Sequence, residues 1–276
     1  MQQSMKFADA LHARPEPSGI DIACGLKHFA IITYAFDPLR FAGVMPDRFK
    51  LDTVGIDGQE RALLSVVPFI DVDFTSAVFP FPSFEMGQTN YRIYIIDRET
   101  GEKCVWFLGT TLDSWTRLIP HAVWKLPWYG GRVEFDAHAD STGMYGKYSM
   151  RTRSQWAPAS VELKSKPHLD EIAGFPDRET ALVYLTHPLR GFYHRRDGRL
   201  GTYHVWHDRL NVHMGHLVTA NFGLLDRLGL VRLDEQQNPH SVLLDPLAHF
   251  TIYLPPRVIP AAPNNSSKPT PLRGAA

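Results

Sequence analysis

The chain has 276 residues, of which 44% are hydrophobic and 21% are charged, as in an ordinary globular protein. Its 29 Lys and Arg residues balance its 29 Asp and Glu residues, so the formal net charge at pH 7 is zero. Nucleic acids and anionic membranes attract proteins with excess Lys and Arg, so we expect no nucleic acid and no membrane as partner. The first residues lack the apolar core of a secretory signal, and no apolar run reaches the ~20 residues of a membrane span, so the expected location is cytoplasmic.

Proline and small polar residues are concentrated near both ends of the chain. Residues 1–18 end in a Pro-rich run and are expected to form a loose N-terminal leader. Residues 259–276 have too few apolar side chains to bury and are expected to form a disordered C-terminal tail. No linker or internal repeat interrupts residues 19–258, so these residues are predicted to form a single domain.

Hairpin patterns dominate the first half of the chain. After a predicted strand at Lys27–Tyr34, the tight-turn pair Asp57-Gly58 leads into a predicted strand at Arg61–Pro68. The segments Asn90–Asp97 and Lys103–Thr110 flank a short polar turn, which predicts a second hairpin. Further strands are expected at Gly131–Phe135, Lys147–Arg153, Ser160–Leu163, Gly191–Arg195, Leu200–Trp206 and Phe250–Leu254.

Helical patterns are fewer than strand patterns. Asp37-Pro38 combines a capping side chain with a proline at the first helical position. Two further helices are expected over residues 113–120 and over Asp177–Thr186. Apolar residues at helical spacing predict a longer helix over Val212–Leu228, which ends at Gly229. Antiparallel hairpins with a few peripheral helices define an α+β fold.

The strand segment around Asn90 carries the first candidate site. Side chains alternate along a strand, so Gln88, Asn90, Arg92 and Tyr94 share one face. This polar face is either exposed to water or lines a pocket. In a pocket, the Arg92 guanidinium could hold a carboxylate through two hydrogen bonds. These four residues are therefore our candidate ligand-binding wall.

A lysine within an aromatic segment is the second candidate. Lys125 lies between Trp124 and Trp128 in the sequence, and burial would favour its uncharged form. A neutral amine can form a Schiff base with a carbonyl compound. The alternative is a lysine that rests across the indole faces with its ammonium in water. Lys125 is thus a candidate catalytic residue, and Trp124 and Trp128 are candidate ligand contacts.

Histidines are frequent between residues 194 and 216 and raise the question of a metal. His204 and His207 point to opposite faces of a regular strand, so they could not both bind one zinc ion from it. Cys24 and Cys104 have no spacing that suggests a disulfide framework or a Cys-based zinc site. We interpret the histidines as partly buried imidazoles bonded to the backbone, and we expect neither metal nor other cofactor. A zinc-dependent hydrolase is the third and last alternative for the function.

The order of several motifs resembles the uncharacterised YqjF-like family, which is related to the acetoacetate decarboxylase-like superfamily. The resemblance extends from about residue 25 to residue 257. It rests on the motifs Phe36-Asp37-Pro38-Leu39-Arg40, Met45-Pro46, Asp57-Gly58, Ser65-Val66-Val67-Pro68-Phe69, Asn90-Tyr91-Arg92-Ile93-Tyr94, Val105-Trp106-Phe107, Leu126-Pro127-Trp128-Tyr129, Tyr203-His204-Val205-Trp206-His207 and Pro239-His240-Ser241-Val242.

This resemblance implies a mostly antiparallel, cone-like β-barrel with an internal cavity. In acetoacetate decarboxylase, a lysine of a Pro-Lys-Lys run forms a Schiff base with a β-keto acid, and the second lysine lowers the pKa of the first. The corresponding stretch here, residues 123–127, carries Lys125 alone. Gln88 stands where YqjF-like relatives usually carry glutamate.

The sequence and the resemblance together favour a cavity protein that binds a small organic acid or carbonyl compound. If the protein is an enzyme, the expected activity is that of a Schiff-base lyase, decarboxylase or aldol-type enzyme with Lys125 as nucleophile. The alternative is a ligand-binding or sensor protein without catalysis, in which Arg92 is essential and Lys125 is dispensable.

Overall fold

The computed structural model describes residues 4–114, 124–168 and 170–260. The helix expected over residues 113–120 and the tail expected over residues 259–276 fall mostly outside these ranges. The described strands are β1 (Ile22–Phe36), β2 (Phe49–Leu51), β3 (Thr53–Ile56), β4 (Gln59–Ser76), β5 (Phe84–Asp97), β6 (Lys103–Leu112), β7 (Trp128–Gly130), β8 (Arg132–Ala139), β9 (Tyr145–Arg153), β10 (Ala159–Ser165), β11 (Arg190–His194), β12 (Leu200–Trp206), β13 (His213–Phe222) and β14 (Ser241–Ile259).

Short helices connect or flank these strands. They are α1 (Phe7–Ala10), α2 (Arg178–Thr186) and α3 (Gly223–Arg227), with 3-10 turns at Pro38–Phe41 and Glu235–Gln237. Asp37 caps the first of these 3-10 turns through its side chain, and Asp177 caps α2 in the same way. Both caps lie where the sequence predicted them. No helix in the described residues is long and apolar enough to cross a membrane.

Seven long strands form a closed circuit of pairings. β1 pairs with β4 on one side and with β14 on the other. From β4 the order continues through β5, β6, β11 and β12 back to β14. Every pair in this circuit is antiparallel except β6 with β11, which is parallel. A branch leaves the circuit at β14 and runs through β13, β10 and β9 to β8. The protein is therefore mostly β, with few helices.

The long strands are apolar on both faces because both faces are covered. In β4, Leu63 belongs to one core cluster and its neighbour Leu64 to the other. The Leu64 cluster combines buried residues of the circuit, such as Tyr91, with buried residues of the branch, such as Tyr148. The Leu63 cluster includes the apolar residues of α2. The near-continuous apolar runs in the sequence are explained by this double burial.

The helix predicted over Val212–Leu228 is wrong. Most of the segment is β13, which pairs with β10 along its length and with β14 at its start. Only Gly223–Arg227 is helical, and Gly229 follows in the left-handed conformation with φ of 68°. Pairing with strands on both sides outweighed the helical spacing of a few apolar residues, because local propensity is weak compared with tertiary pairing.

The segment before residue 19 contacts the domain through α2. The Met5 amide donates to Thr180 Oγ1 at 2.9 Å, and the Phe7 amide donates to Glu179 Oε1 at 3.0 Å. The Phe7 side chain is buried in the same cluster as the apolar residues of α2. These contacts place α1 against the first turn of α2.

Candidate functional site

A pocket of about 300 Å³ is lined by residues of the strand circuit. All seven strands of the circuit contribute residues to its wall. The pocket lined by this set of residues is called the central pocket below. Its volume is at the low end of the range for small-molecule sites, which is about 300–1,000 Å³. The wall is mostly apolar, and its aromatic members are Phe29, Phe69, Phe74, Phe84, Phe107, Trp124, Trp128, Tyr203 and Phe250.

The strand period selects which residues reach the central pocket. On β5, Gln88, Asn90 and Arg92 lie two residues apart and all three line the wall. On β4, the alternate residues Phe69 and Asp71 do the same from the neighbouring strand. The face predicted for Gln88, Asn90 and Arg92 is therefore the face that meets the pocket.

Tyr94 continues this face of β5 but is not among the pocket-lining residues. Its hydroxyl donates to the Leu185 carbonyl at 2.9 Å and lies 2.9 Å from Ser65 Oγ. Its ring packs against Tyr184 of α2, with centroids 4.9 Å apart. Tyr94 thus lies beyond the pocket, where α2 covers this end of the circuit.

Arg92 has few partners for a guanidinium in a largely apolar wall. Its Nη2 donates to the Leu185 carbonyl at 2.9 Å, and its guanidinium carbon lies 5.7 Å from the centre of the Tyr94 ring. Its Nε is buried without a hydrogen-bond partner. Among the described residues, none contributes a carboxylate in ion-pair contact with Arg92. The cation is held in place but not neutralised.

Asn90 carries a second unpartnered polar atom of the wall. Its Oδ1 is buried and accepts no hydrogen bond from the residues that the structure describes. Such an atom costs free energy unless a ligand or water supplies a donor, and the cost is about 1–3 kcal/mol. Asn90 and Arg92 therefore offer an acceptor and a donor side by side.

A buried acid lies in the β4 part of the wall, and the sequence analysis missed it. Asp71 is 1% exposed and accepts hydrogen bonds from Gln88 Nε2 and from the Cys24 thiol. Burial raises the pKa of Asp71 to about 7, although both hydrogen bonds lower it. Burial and the nearby Asp71 raise the pKa of Cys24 well above its usual value, so the thiol stays protonated.

The segment around Lys125 is held by the turn between β11 and β12. Arg195 Nη1 donates to the Trp124 carbonyl at 2.8 Å, and the Arg196 amide donates to the Lys125 carbonyl at 3.0 Å. Trp124 and Trp128 line the central pocket, as does Leu126, but Lys125 itself does not. Lys125 adopts a positive φ of 55° between two wall residues.

The histidines of residues 194–216 do not form a cluster. His207 is buried, with Nδ1 2.8 Å from the Asp208 carbonyl oxygen and Nε2 2.9 Å from the Thr186 carbonyl oxygen. Burial lowers its pKa to about 4, against the two carbonyl contacts, which raise it. In the described part of the chain, no group of three or more His, Cys, Asp or Glu side chains is placed to hold a metal ion.

Several solved structures are similar to this chain over most of its length. One is acetoacetate decarboxylase from Legionella pneumophila, with 12% identity, a TM-score of 0.55, and coverage of 94% of this chain and 98% of that one. A second is an acetoacetate decarboxylase-like enzyme from Sphingomonas wittichii, with 12% identity, a TM-score of 0.56, and coverage of 88% and 94%. A third is the enduracididine biosynthesis enzyme MppR complexed with pyruvate, with 14% identity, a TM-score of 0.53, and coverage of 89% and 91%.

At these identities the comparisons show a shared fold, and the resemblance to the acetoacetate decarboxylase-like superfamily is confirmed at that level. No curated protein sequence matches the chain. A family model, DUF2071, matches residues 24–250, from near the start of β1 to the middle of β14. The chain therefore belongs to the DUF2071 family, which is described as "Uncharacterized conserved protein (COG2071)".

Proposed function

We propose that the strand circuit is a cone-like, mostly antiparallel barrel whose cavity, the central pocket, binds a small organic acid. The single observation that carries this proposal is Arg92, a guanidinium in the pocket wall with an unpartnered Nε and no carboxylate on it from the described residues. The acid's carboxylate would supply the missing partner in the planar, two-bond geometry that a guanidinium favours.

The rest of the wall fits the body of such a ligand. Phe107 and Tyr203 stack at 5.5 Å between ring centroids, and both line the pocket with Arg92. Apolar and aromatic surface buries a hydrocarbon or aromatic body, while a few polar groups fix its orientation. Asn90 Oδ1 accepts a hydrogen bond from a ligand hydroxyl or amide.

Two comparisons support the proposal without supplying its residues. MppR is described in complex with pyruvate, and the Legionella pneumophila protein is an acetoacetate decarboxylase. Both of those proteins therefore handle small organic acids on this fold. Identities of 12–14% do not carry individual site residues from one chain to the other.

Binding is tested by calorimetry with pyruvate, acetoacetate, hexanoate and phenylacetate, each paired with its neutral amide or ester. We expect carboxylates to bind and their neutral analogues to bind far more weakly. Arg92→Leu should weaken carboxylate binding by at least about 30-fold, because it removes a charged hydrogen-bonding partner. Arg92→Lys keeps the positive charge but loses the planar two-bond geometry of the guanidinium. Its affinity for carboxylates should therefore lie between those of wild type and Arg92→Leu.

Arg151→Leu is the matched control, since Arg151 is an exposed arginine on a strand outside the circuit. It should bind carboxylates as wild type does. The proposal is refuted if no carboxylate binds the wild-type protein, or if Arg92→Leu binds as tightly as wild type.

A lyase activity through Lys125 is the catalytic form of the same proposal. It is favoured by the position of Lys125 between the wall residues Trp124 and Leu126, and it requires the lysine amine to enter the pocket. Borohydride trapping with keto acids, followed by intact mass measurement, tests it. A reduced adduct on wild type that disappears in Lys125→Ala supports the lyase. A pocket that binds acids but yields no adduct functions by binding alone.

A further inference from the structure

The central pocket contains a second set of polar atoms on the same strand as Arg92. Gln88 Nε2 donates to the buried Asp71 carboxyl, so the amide oxygen Oε1 is the atom left for a ligand. Among the described residues, none donates a hydrogen bond to Gln88 Oε1 or to Asn90 Oδ1. Both residues line the pocket. The wall therefore presents two amide oxygens in a row, and both accept hydrogen bonds.

The spacing between these acceptors and Arg92 follows from the strand. Residues two apart on β5 are separated by about 7 Å, and residues four apart by about 13 Å. Asn90 and Gln88 occupy these two positions relative to Arg92. A ligand whose carboxylate meets Arg92 can reach the farther acceptor, Gln88 Oε1, with a donor located at the opposite end of a short, rigid body.

The wall also indicates what that body is. Phe69 of β4 pairs with Gln88, and Phe107 of β6 pairs with Arg92, so aromatic side chains flank both ends of the row. Trp124, Trp128, Tyr203 and Phe250 complete an aromatic lining. Aromatic rings pack favourably against one another in offset or edge-to-face geometry.

We propose that the ligand is a hydroxyaromatic carboxylic acid, held by Arg92 at its carboxylate and by the Gln88 amide oxygen at its hydroxyl. This inference rests on the proposed binding function and names its ligand class. Asp71 is a positioning residue in this arrangement, because it holds Gln88 Nε2 and so turns Oε1 toward the ligand. A hydroxyl suits the site better than an ammonium, since an apolar pocket penalises an additional buried cation beside Arg92.

The ligand test compares 4-hydroxyphenylacetate with 4-methoxyphenylacetate and phenylacetate on the wild-type protein. The methoxy compound keeps the acceptor oxygen but carries a methyl group in place of the hydrogen that the hydroxyl donates. We expect the hydroxy acid to bind at least about fivefold more tightly than the methoxy acid, the worth of one good hydrogen bond. Equal affinities for all three acids would overturn the inference while leaving the binding function intact.

Variants then test the assigned residues through the ratio of the hydroxy to the methoxy affinity. Gln88→Leu should reduce the ratio, whereas phenylacetate should still bind. Asp71→Leu should reduce it as well, and Asp71→Asn should restore it because asparagine can still accept from Gln88 Nε2. Circular dichroism and gel filtration establish that each variant is folded.

A ratio that survives in Gln88→Leu and in Asp71→Leu would overturn the roles given to these residues. If either leucine variant fails to fold, the wild-type comparison and Asp71→Asn still decide the matter, since loss of the ratio in Asp71→Asn contradicts the positioning role. Failure of every carboxylate to bind the wild-type protein would instead refute the binding function itself, and this inference with it.

Discussion

The buried Asp71 carboxyl should make the stability of this protein depend on pH, and Asp71→Asn isolates that dependence. Asparagine has nearly the same shape, can accept the hydrogen bond from Gln88 Nε2, and does not ionise. Comparing the variant with wild type at two pH values removes the contribution of every other titrating group. The quantity of interest is the difference in the free energy of unfolding between the two proteins.

The sign and size of the effect follow from two pKa values. An aspartate in the unfolded chain titrates near 3.8, whereas Asp71 in the folded protein titrates at about 7. Between these values the folded protein holds a proton that the unfolded chain has released, so rising pH favours unfolding. The stability contributed by Asp71 is complete below pH 3.8 and is lost as the pH rises through 7. From pH 5 to pH 8 the loss is about 2.5 kcal/mol.

Urea denaturation at pH 5 and at pH 8 measures this effect. The stability of Asp71→Asn relative to wild type should increase by about 2.5 kcal/mol between the two conditions. Asp57→Asn is the matched control for loss of one carboxylate, because Asp57 is exposed in a turn and its positive φ of 50° suits asparagine. An unchanged relative stability of Asp71→Asn at the two pH values would contradict a raised pKa of Asp71 in the folded protein.

Three further substitutions test contacts elsewhere in the fold by urea denaturation. Gly109→Ala places a Cβ 2.6 Å from the Trp156 ring at a φ of 155°, so it should destabilise the fold by about 1–3 kcal/mol. An unchanged urea midpoint of unfolding would contradict this contact. Arg48→Met leaves the buried Asp97 carboxylate without its 2.6 Å ion pair and should lower the free energy of unfolding by about 3–5 kcal/mol. A decrease below about 1 kcal/mol would contradict this expectation. Phe7→Ala should cost about 3–5 kcal/mol because the ring is buried against the domain, whereas a loose segment would give no change.

Local patterns in the sequence predicted several hairpins and helix starts, although the helix expected over Val212–Leu228 is mostly a strand. The hairpin of β5 and β6 and the hairpin of β11 and β12 occur where turn residues and apolar alternation placed them. The cap at Asp177 marked the start of α2. These features depend on residues close together in the chain, and such residues carry their own conformational preferences.

Features that depend on distant pairing could not be predicted in the same way. The circuit closes where Ile22 pairs with Ile252, and no local pattern encodes that contact. The predicted strand in β4 ended at Pro68, but the strand continues to Ser76 with Pro68 paired to Thr89. Asp71 lies beyond the predicted end of this strand. Alternation along the predicted strand therefore could not assign its carboxylate to the pocket wall.

Alternation along a single strand was enough to find Gln88, Asn90 and Arg92, since all three share one face of β5. It could not show that α2 lies over Tyr94, nor which side chains of residues 124–128 enter the pocket. Those outcomes depend on elements that are remote in sequence, such as the β11–β12 turn that binds the Trp124 carbonyl.

The pairing of β1 with β14 also has a consequence for synthesis of the protein. Each of the seven strands contributes to the pocket wall, and β14 is the last of them to leave the ribosome. A nascent chain therefore contains the row from Gln88 to Arg92 before β14 has been synthesised. At that stage the row lies on an open sheet, which cannot enclose a ligand. If the central pocket binds a ligand as proposed, binding begins only after translation has delivered the strand that closes the circuit, and such a ligand stabilises the finished protein rather than guiding its early folding.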